Sequence, residues 1–181
     1  MAKSICMNFS KKMLSAFTLV VVLFVACSPN NVTVENGYQK YFDENKVTGT
    51  FGLFDNGTGQ FTIYNLSRFK DSSYLPASTF KIVNSLIGIE TGRVSNEKMV
   101  IKWDGLVRIM PGGDTAHGWN KDLTMEEAFA ASALPYYQEV ARRIGKDTMQ
   151  IWIDSLQYGN KQLGTAIDSF WINNSLKISP D

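Results

Sequence analysis

Residues 76–92 read PASTFKIVNSLIGIETG. Proline is favoured in the first turn of a helix and glycine just after its last turn, so Pro76 and Gly92 predict the two ends of one helix. Most side chains between them are apolar, which predicts a buried helix, yet Lys81 lies three residues after Ser78. Positions i and i+3 share one helix face, so the sequence places a lysine amine beside a serine hydroxyl.

This pair has a chemical use near the start of a helix. Unpaired backbone N–H groups and the positive end of the helix dipole stabilise an oxyanion that forms at Ser78. Burial disfavours an ammonium, so a lowered pKa would make Lys81 a neutral base beside a nucleophile. The alternative is a capping serine and a lysine whose stem alone is buried. The apolar neighbours expected around the lysine are Phe80, Ile82, Val83, Leu86 and Ile87.

The pattern Ser-x-x-Lys occurs three times and is weak evidence by itself. SRFK at Ser67 is predicted to lie in a polar loop, and SNEK at Ser95 follows the glycine that ends the helix. Both are interpreted as chance matches on the surface. Only STFK at Ser78 lies in an apolar helix.

Composition limits the class of protein. The 181 residues are 44% hydrophobic, enough for one domain with a substantial core. Charges are nearly balanced at a net +1, so no nucleic-acid partner is expected. Cys6 and Cys27 lie near the N-terminus, which excludes a disulfide, a zinc site or a cysteine nucleophile in the domain; no metal is expected. The single histidine, His117, is expected to face solvent in the loop PGGDTAHGWN rather than to serve a catalytic triad.

The N-terminus predicts export. Lys11 and Lys12 precede MLSAFTLVVVLFVA, an apolar run of secretory-signal length, and CSPNN follows. Residues 1–27 are predicted to be a signal peptide ending at Cys27, which resembles the lipidation site of bacterial lipoproteins. Phe24 replaces the usual leucine of that pattern, so cleavage without lipidation is the alternative, and an uncleaved anchor is a third. The expected location is the bacterial periplasm, with a lipid anchor to the membrane if Cys27 is modified.

The rest of the chain predicts a mixed α/β domain. Residues 28–46 are expected to form a polar tether and the start of the domain, and residues 47–181 its N-terminal portion. A hairpin around an Asp-Asn-Gly turn is predicted over residues 48–64. Three helices should follow a loop-rich stretch: one with a Thr124–Glu127 capping box, one from Pro135 to Gly145, and one capped by Asp147. Ser179 reads as the N-cap of a further helix, which suggests the front part of a longer protein.

Several motifs in order resemble the class D β-lactamases, the oxacillinase family. The resemblance runs from about Phe51 to the last residue, and its motifs, in order, are YNLSRF, PASTFKIVNSLIGIETG, WDG, WNKDLTMEEAFAASALPYYQEVARRIG, YGN and DSFWINNSLKIS. The resemblance implies an α+β fold, an antiparallel sheet with a helical subdomain like that of penicillin-binding proteins, with its C-terminal strands missing here.

The resemblance also implies roles for individual residues. Ser78 would be the acylated nucleophile, Lys81 a base carboxylated by carbon dioxide to N6-carboxylysine, and Ser132 a proton relay. Trp171 would hydrogen-bond the carbamate, and Tyr158 to Asn160 form the structural YGN motif. Two departures bear on activity. Leu134 replaces a typical valine and would crowd the carbamate, and the Lys-Thr-Gly strand that completes the oxyanion hole does not occur in these residues.

The expected function is therefore β-lactam hydrolysis through an acyl-enzyme, with no cofactor beyond carbon dioxide. The first alternative is a penicillin-binding sensor or transpeptidase-like protein that acylates without turnover. The second is an inactive truncated fragment. The substrate range among β-lactams and the oligomeric state are not readable from these residues.

Overall fold

A computed structural model of the protein describes residues 31–110 and 112–180. The chain divides into two compact units, residues 1–66 and 67–181. The predicted signal peptide, including Cys27, lies outside the described residues. Among the residues that are described, no helix combines the length and hydropathy needed to cross a membrane. Both helices and sheets are present, as the predicted mixed fold requires.

The first unit contains a three-stranded sheet and one short helix. Its elements are β1 (Val32–Val34), α1 (Gln39–Glu44), β2 (Phe51–Asp55) and β3 (Gln60–Tyr64). The strand order is β1-β3-β2. Strands β2 and β3 pair antiparallel, with Phe51 opposite Tyr64, whereas β1 pairs parallel to β3. The predicted hairpin is confirmed, and β1 adds a parallel strand that the sequence analysis did not predict.

The hairpin turn differs in detail from the Asp-Asn-Gly turn expected. Positive φ occurs at Gly59 (+68°) and not at Asn56 or Gly57. The Asp55 carboxylate accepts a hydrogen bond from the Gly57 N–H at 2.8 Å, and the Asp55 carbonyl accepts one from the Gly59 N–H at 2.8 Å. The left-handed conformation of the turn is therefore at Gly59, two residues after the Gly57 of the predicted Asp-Asn-Gly turn.

The second unit is mainly helical. The chain passes through α2 (Leu66–Asp71), which begins at the boundary, a 3₁₀ turn (Ala77–Thr79) and α3 (Phe80–Glu90). Two short antiparallel strands follow, β4 (Val100–Ile101) and β5 (Leu123–Thr124). The last helices are α4 (Met125–Ala130), α5 (Leu134–Ile144) and α6 (Lys146–Ser155).

Most predicted helix ends are confirmed. Gly92 adopts a φ of +66° just after α3, and Gly145 adopts +80° between α5 and α6. The Thr124–Glu127 capping box at α4 is present in both directions. The predicted cap Asp147 is wrong: α6 begins at Lys146, so Asp147 lies inside the first turn, where its charge still favours the helix dipole.

Helices α3 and α5 pack closely against each other. A Cβ at Gly88 of α3 would lie 3.1 Å from Val140 Cγ1 of α5, so the missing side chain lets the two backbones approach. The surrounding core includes fully buried Phe80, Ile87, Tyr137 and Trp171. This core fixes the start of α3, where Lys81 lies directly after the 3₁₀ turn that contains Ser78.

The C-terminal segment forms turns rather than a regular element. Residues 167–178 contain no helix or strand, but Ile178 exchanges two backbone hydrogen bonds with Tyr74, at 2.7 and 2.8 Å. Ser179 and Pro180 are in no helix, and Asp181 lies outside the described residues. The segment therefore returns to the stretch that leads into Ser78.

Candidate active site

Ser78 lies in the middle of the 3₁₀ turn that precedes α3, and it is exposed. The predicted α-helix from Pro76 is therefore replaced by a tighter first turn, with α3 itself starting at Phe80. Ala77 has a φ of +46°, an unfavourable value for a residue with a side chain. Its N–H donates to the carbonyl of Trp171 at 3.1 Å, which holds the strained turn in place.

The Ser78 N–H makes no hydrogen bond with another backbone group in the described residues. It is a donor at the start of a helix, beside the hydroxyl that would attack a carbonyl. A free N–H in this position is suited to stabilising the oxyanion that forms after attack.

Lys81 is buried, with 4% of its surface exposed. Its Nζ donates to Ser78 Oγ at 2.8 Å and to Ser132 Oγ at 3.0 Å. Desolvation by burial lowers the pKa of Lys81 below its ordinary value. The lysine is thus held between two hydroxyls and is biased toward the neutral amine.

The environment of the lysine is only partly the one expected. Of its expected apolar neighbours, Phe80 and Ile87 are fully buried. Ile82 and Leu86, expected among its apolar neighbours, are instead 62% and 44% exposed, because they lie on the opposite face of α3.

Ser132 lies at the junction between α4 and α5, where the sequence motif placed it. Its φ is +50°, and its N–H donates to the Phe129 carbonyl at 3.1 Å. Ser132 Oγ donates to Ser78 Oγ at 3.1 Å. Together with the two lysine contacts, this closes a triangle of hydrogen bonds among Ser78, Lys81 and Ser132, across which a proton can pass.

Trp171 lies in the aromatic part of the core, in contact with Phe80, the residue that precedes Lys81. Its ring stacks on Phe80 at 5.4 Å between centroids and meets Phe170 edge-on at 5.0 Å. Trp171 is fully buried, and its Nε1–H has no hydrogen-bond partner among the described residues. A buried donor without an acceptor is costly, so this N–H is suited to receive an acceptor group.

The YGN motif joins α6 to the C-terminal segment. The ring of Tyr158 lies 5.9 Å from that of Phe80. Asn160 Nδ2 donates to the Ser175 carbonyl at 2.9 Å, and Asn160 Oδ1 accepts from the Lys177 N–H at 3.0 Å. The motif makes no hydrogen bond to Ser78 or Lys81 and supports the segment that carries Trp171.

Two buried residues close to Lys81 were missed by the sequence analysis. Lys81 Nζ lies 5.9 Å from the centre of the Tyr137 ring, whose hydroxyl is 3.0 Å from Ser85 Oγ. Asn84 is fully buried and donates to the Tyr137 carbonyl at 3.0 Å, while its Oδ1 has no partner within the described part of the chain. A polar Asn84 three residues after Lys81 was the available signal.

The side chains of the remaining sequence candidates that the structure describes make no hydrogen bond to Ser78, Lys81 or Ser132. Leu134 is the first residue of α5, two residues after Ser132, and packs half-buried against the core. Ser67 and Ser95 are exposed, although Ser67 lies in α2 and not in a loop as predicted. His117 is exposed, as expected. The described residues contain no group of three or more His, Cys, Asp or Glu placed to bind a metal.

The exposed Ser78 hydroxyl is hydrogen-bonded to the buried Lys81 amine, and the Ser132 hydroxyl is hydrogen-bonded to both. This arrangement defines a serine–lysine acyl-transfer site. Residues 23–180 match the family model described as the penicillin binding protein transpeptidase domain. The chain therefore belongs to the penicillin-binding protein transpeptidase domain family.

Individual relatives narrow the comparison within this family. The chain is 38% identical over 162 residues to β-lactamase OXA-5 of Pseudomonas aeruginosa, covering 89% of this chain and 58% of that protein. A solved class D β-lactamase from Sebaldella termitidis is 38% identical with a TM-score of 0.74, over 82% of this chain and 56% of that one. The C-terminal domain of the Bacillus licheniformis BlaR penicillin receptor is 30% identical with a TM-score of 0.75, over 85% and 59%.

These likenesses confirm the predicted resemblance to class D β-lactamases and the mixed fold. The chain spans less than two thirds of the length of each of these relatives.

Proposed function

We propose that the protein opens β-lactam rings by acyl transfer to Ser78. The observation that carries this proposal is the position of Lys81, 4% exposed and hydrogen-bonded to both Ser78 and Ser132. Its neutral amine accepts the Ser78 proton, and Ser78 Oγ forms a bond to the lactam carbonyl carbon. Breaking the ring C–N bond leaves an amine that takes its proton through Ser132, and water later releases the acyl group.

The direct test is the mass of the intact protein after incubation with benzylpenicillin. We expect an adduct of one penicillin that maps to Ser78 and that is absent from Ser78→Ala. Ser95→Ala is the matched control, because Ser95 carries the same Ser-x-x-Lys pattern on an exposed surface. An adduct that survives Ser78→Ala, or is lost in Ser95→Ala, would contradict the assignment.

The second candidate function is that of a penicillin receptor, which is acylated without turnover; the likeness to the BlaR penicillin receptor favours it. Both functions begin with the same acylation, so only the fate of the adduct separates them. A hydrolase should lose the adduct and release ring-opened penicillin repeatedly. An adduct that persists for minutes to hours would support the receptor. If these 181 residues form no adduct and a natural longer form does, the fragment alone is inactive.

We further propose that Lys81 is carboxylated by carbon dioxide. The unpartnered, fully buried Nε1–H of Trp171 fits an acceptor in this part of the core. A carbamate would supply an anionic base in place of the amine, held by Trp171 and the Ser78 and Ser132 hydroxyls. Labelling with ¹³C-bicarbonate should give a carbamate carbon signal in NMR that is absent from Lys81→Ala and weakened in Trp171→Phe.

Leu134 tests the same proposal by size. Relief of crowding in Leu134→Val should strengthen the carbamate signal at a fixed bicarbonate concentration. An unchanged signal in Leu134→Val would show that Leu134 does not crowd the group.

Export and lipidation are also proposed, on the pattern of residues 1–27 alone. Expression in a bacterial host should yield a membrane-associated protein labelled by radioactive palmitate, and Cys27→Ala should remove the label. A protein that keeps residues 1–27 in the cytoplasm would contradict the proposal.

A further inference from the structure

We propose that a second site in the protein binds a small organic anion with a flat, apolar ring. The site is a cleft of about 460 Å³ beside β4 and the first three turns of α5, here called the cationic cleft. Its volume falls in the range of small-molecule sites. Ser78, Lys81 and Ser132 do not line it, so the proposal does not depend on β-lactam chemistry.

Three aromatic side chains line the cationic cleft: Trp103, Trp119 and Tyr136. Each is fixed by a hydrogen bond from its polar end to a backbone carbonyl, at 2.9 to 3.0 Å; the acceptors are Leu106, Ala131 and Met99. Because these bonds hold the rings before a ligand arrives, binding a flat apolar group costs little further ordering.

The charge of the cationic cleft decides the sign of the ligand. Its lining contains five cationic and two acidic residues, a net charge of +3; they are Lys102, Arg108, Lys121, Arg142 and Arg143 against Asp104 and Glu139. Low-dielectric aromatic walls strengthen the field of such a cluster. An anion is therefore preferred over a neutral or cationic ligand.

The arginines are already oriented by internal ion pairs. Arg142 donates to Glu139 at 3.1 Å and to Asp168 at 2.7 Å, and Arg143 donates to Glu139 at 2.9 Å. A guanidinium has five N–H donors, so each retains donors for a ligand. Arg108 is held similarly by both oxygens of Asp104.

The two lysines are not committed in this way. The ammonium groups of Lys102 and Lys121 form no ion pair or hydrogen bond to any residue in 31–110 or 112–180. An aromatic carboxylate, sulfonate or phosphate ester would stack its ring on the fixed aromatic side chains and pair its negative charge with the two lysines.

The test uses two ligands of one shape and different charge, 2-naphthoate and 2-naphthamide, titrated into the ¹⁵N-labelled protein. We expect 2-naphthoate to shift the backbone signals of β4 and α5 and to bind at least about tenfold more tightly than the amide. Raising the salt from 0.02 M to 0.3 M should weaken the carboxylate alone, because exposed charges are screened. Equal binding of both ligands, or shifts confined elsewhere, would overturn the proposal.

Variants then locate the charge. Lys102→Gln/Lys121→Gln removes two cations that hold no internal pair, so the fold should be kept, and 2-naphthoate binding should weaken about fivefold to tenfold. Lys98→Gln is the control, because Lys98 is an exposed lysine outside the cationic cleft, paired with Glu126. The same loss in Lys98→Gln, or no loss in the double variant, would show that overall charge and not the cleft is responsible.

Discussion

Gly159→Ala tests how the segment that carries Trp171 is held in place. Gly159 has a φ of +55°, and a Cβ there would lie 2.0 Å from the Lys177 carbonyl oxygen and 2.9 Å from its carbon. Both atoms belong to the backbone, so no side-chain rotation relieves the contact. Lys177 also lies beside Ile178, which pairs with Tyr74 on the way to Ser78.

The expected cost has two parts. An alanine in the left-handed region costs about 1 kcal/mol or more. Moving a packed backbone segment aside adds about 1–3 kcal/mol, the usual cost of overpacking. Gly92→Ala separates the parts, because Gly92 has a similar φ of +66° and no heavy atom within 4 Å of the added Cβ. It should therefore lose about 1 kcal/mol, and Gly159→Ala about 2–4 kcal/mol.

Urea unfolding followed by circular dichroism measures both free energies of unfolding. Acylation of Ser78 by benzylpenicillin, measured in the same samples under native conditions, should slow in Gly159→Ala because the displaced segment includes the Trp171 carbonyl that holds Ala77. Gly92→Ala should acylate at the parental rate. Equal destabilisation by the two variants would refute the argument that the Lys177 backbone makes Gly159 necessary.

Three further predictions concern stability and titration. Thr124→Ala should lose about 1 kcal/mol in urea unfolding, because it removes the capping box at α4. Met149→Ala should lower the free energy of unfolding by about 2–5 kcal/mol, since Met149 is fully buried. Ile151 lies in the same helix but is 66% exposed, so Ile151→Ala should lower it far less. Burial lowers the Lys81 pKa below 10.5, so the unfolded chain binds more protons between that lowered value and 10.5. Stability relative to Lys81→Met should therefore rise with pH in this window, which thermal unfolding at several pH values can measure; a flat difference would contradict it.

Only the part of the site that lies within one helical turn, Ser78 and Lys81, could be predicted from the residues alone. Ser78 and Lys81 are three residues apart, and helical periodicity places them together, as the 2.8 Å contact shows. Ser132 is 51 residues beyond Lys81, and no local pattern connects them. Its place in the site followed from the family resemblance, because tertiary packing of α3 on α5 brings it there.

Other features depended on which face of an element is covered. Ile82 and Leu86 are as apolar as Ile87, and the sequence could not show that they lie on the exposed face. Strand β1 is only three residues long and pairs parallel to β3, a partner 29 residues away in the Val32–Phe61 pair. Such a strand is formed by its neighbour rather than by its own propensity.

Backbone strain at the site is the feature that no propensity scale would predict. Ala77 and Ser132 both have positive φ, at +46° and +50°, and both lie next to or within the Ser78–Lys81–Ser132 triangle. Each is held by a backbone hydrogen bond, from Ala77 to the Trp171 carbonyl and from Ser132 to the Phe129 carbonyl. Because the surrounding core maintains these unfavourable conformations, the two hydroxyls are positioned on the amine before a substrate binds, and acylation requires little further reorganisation.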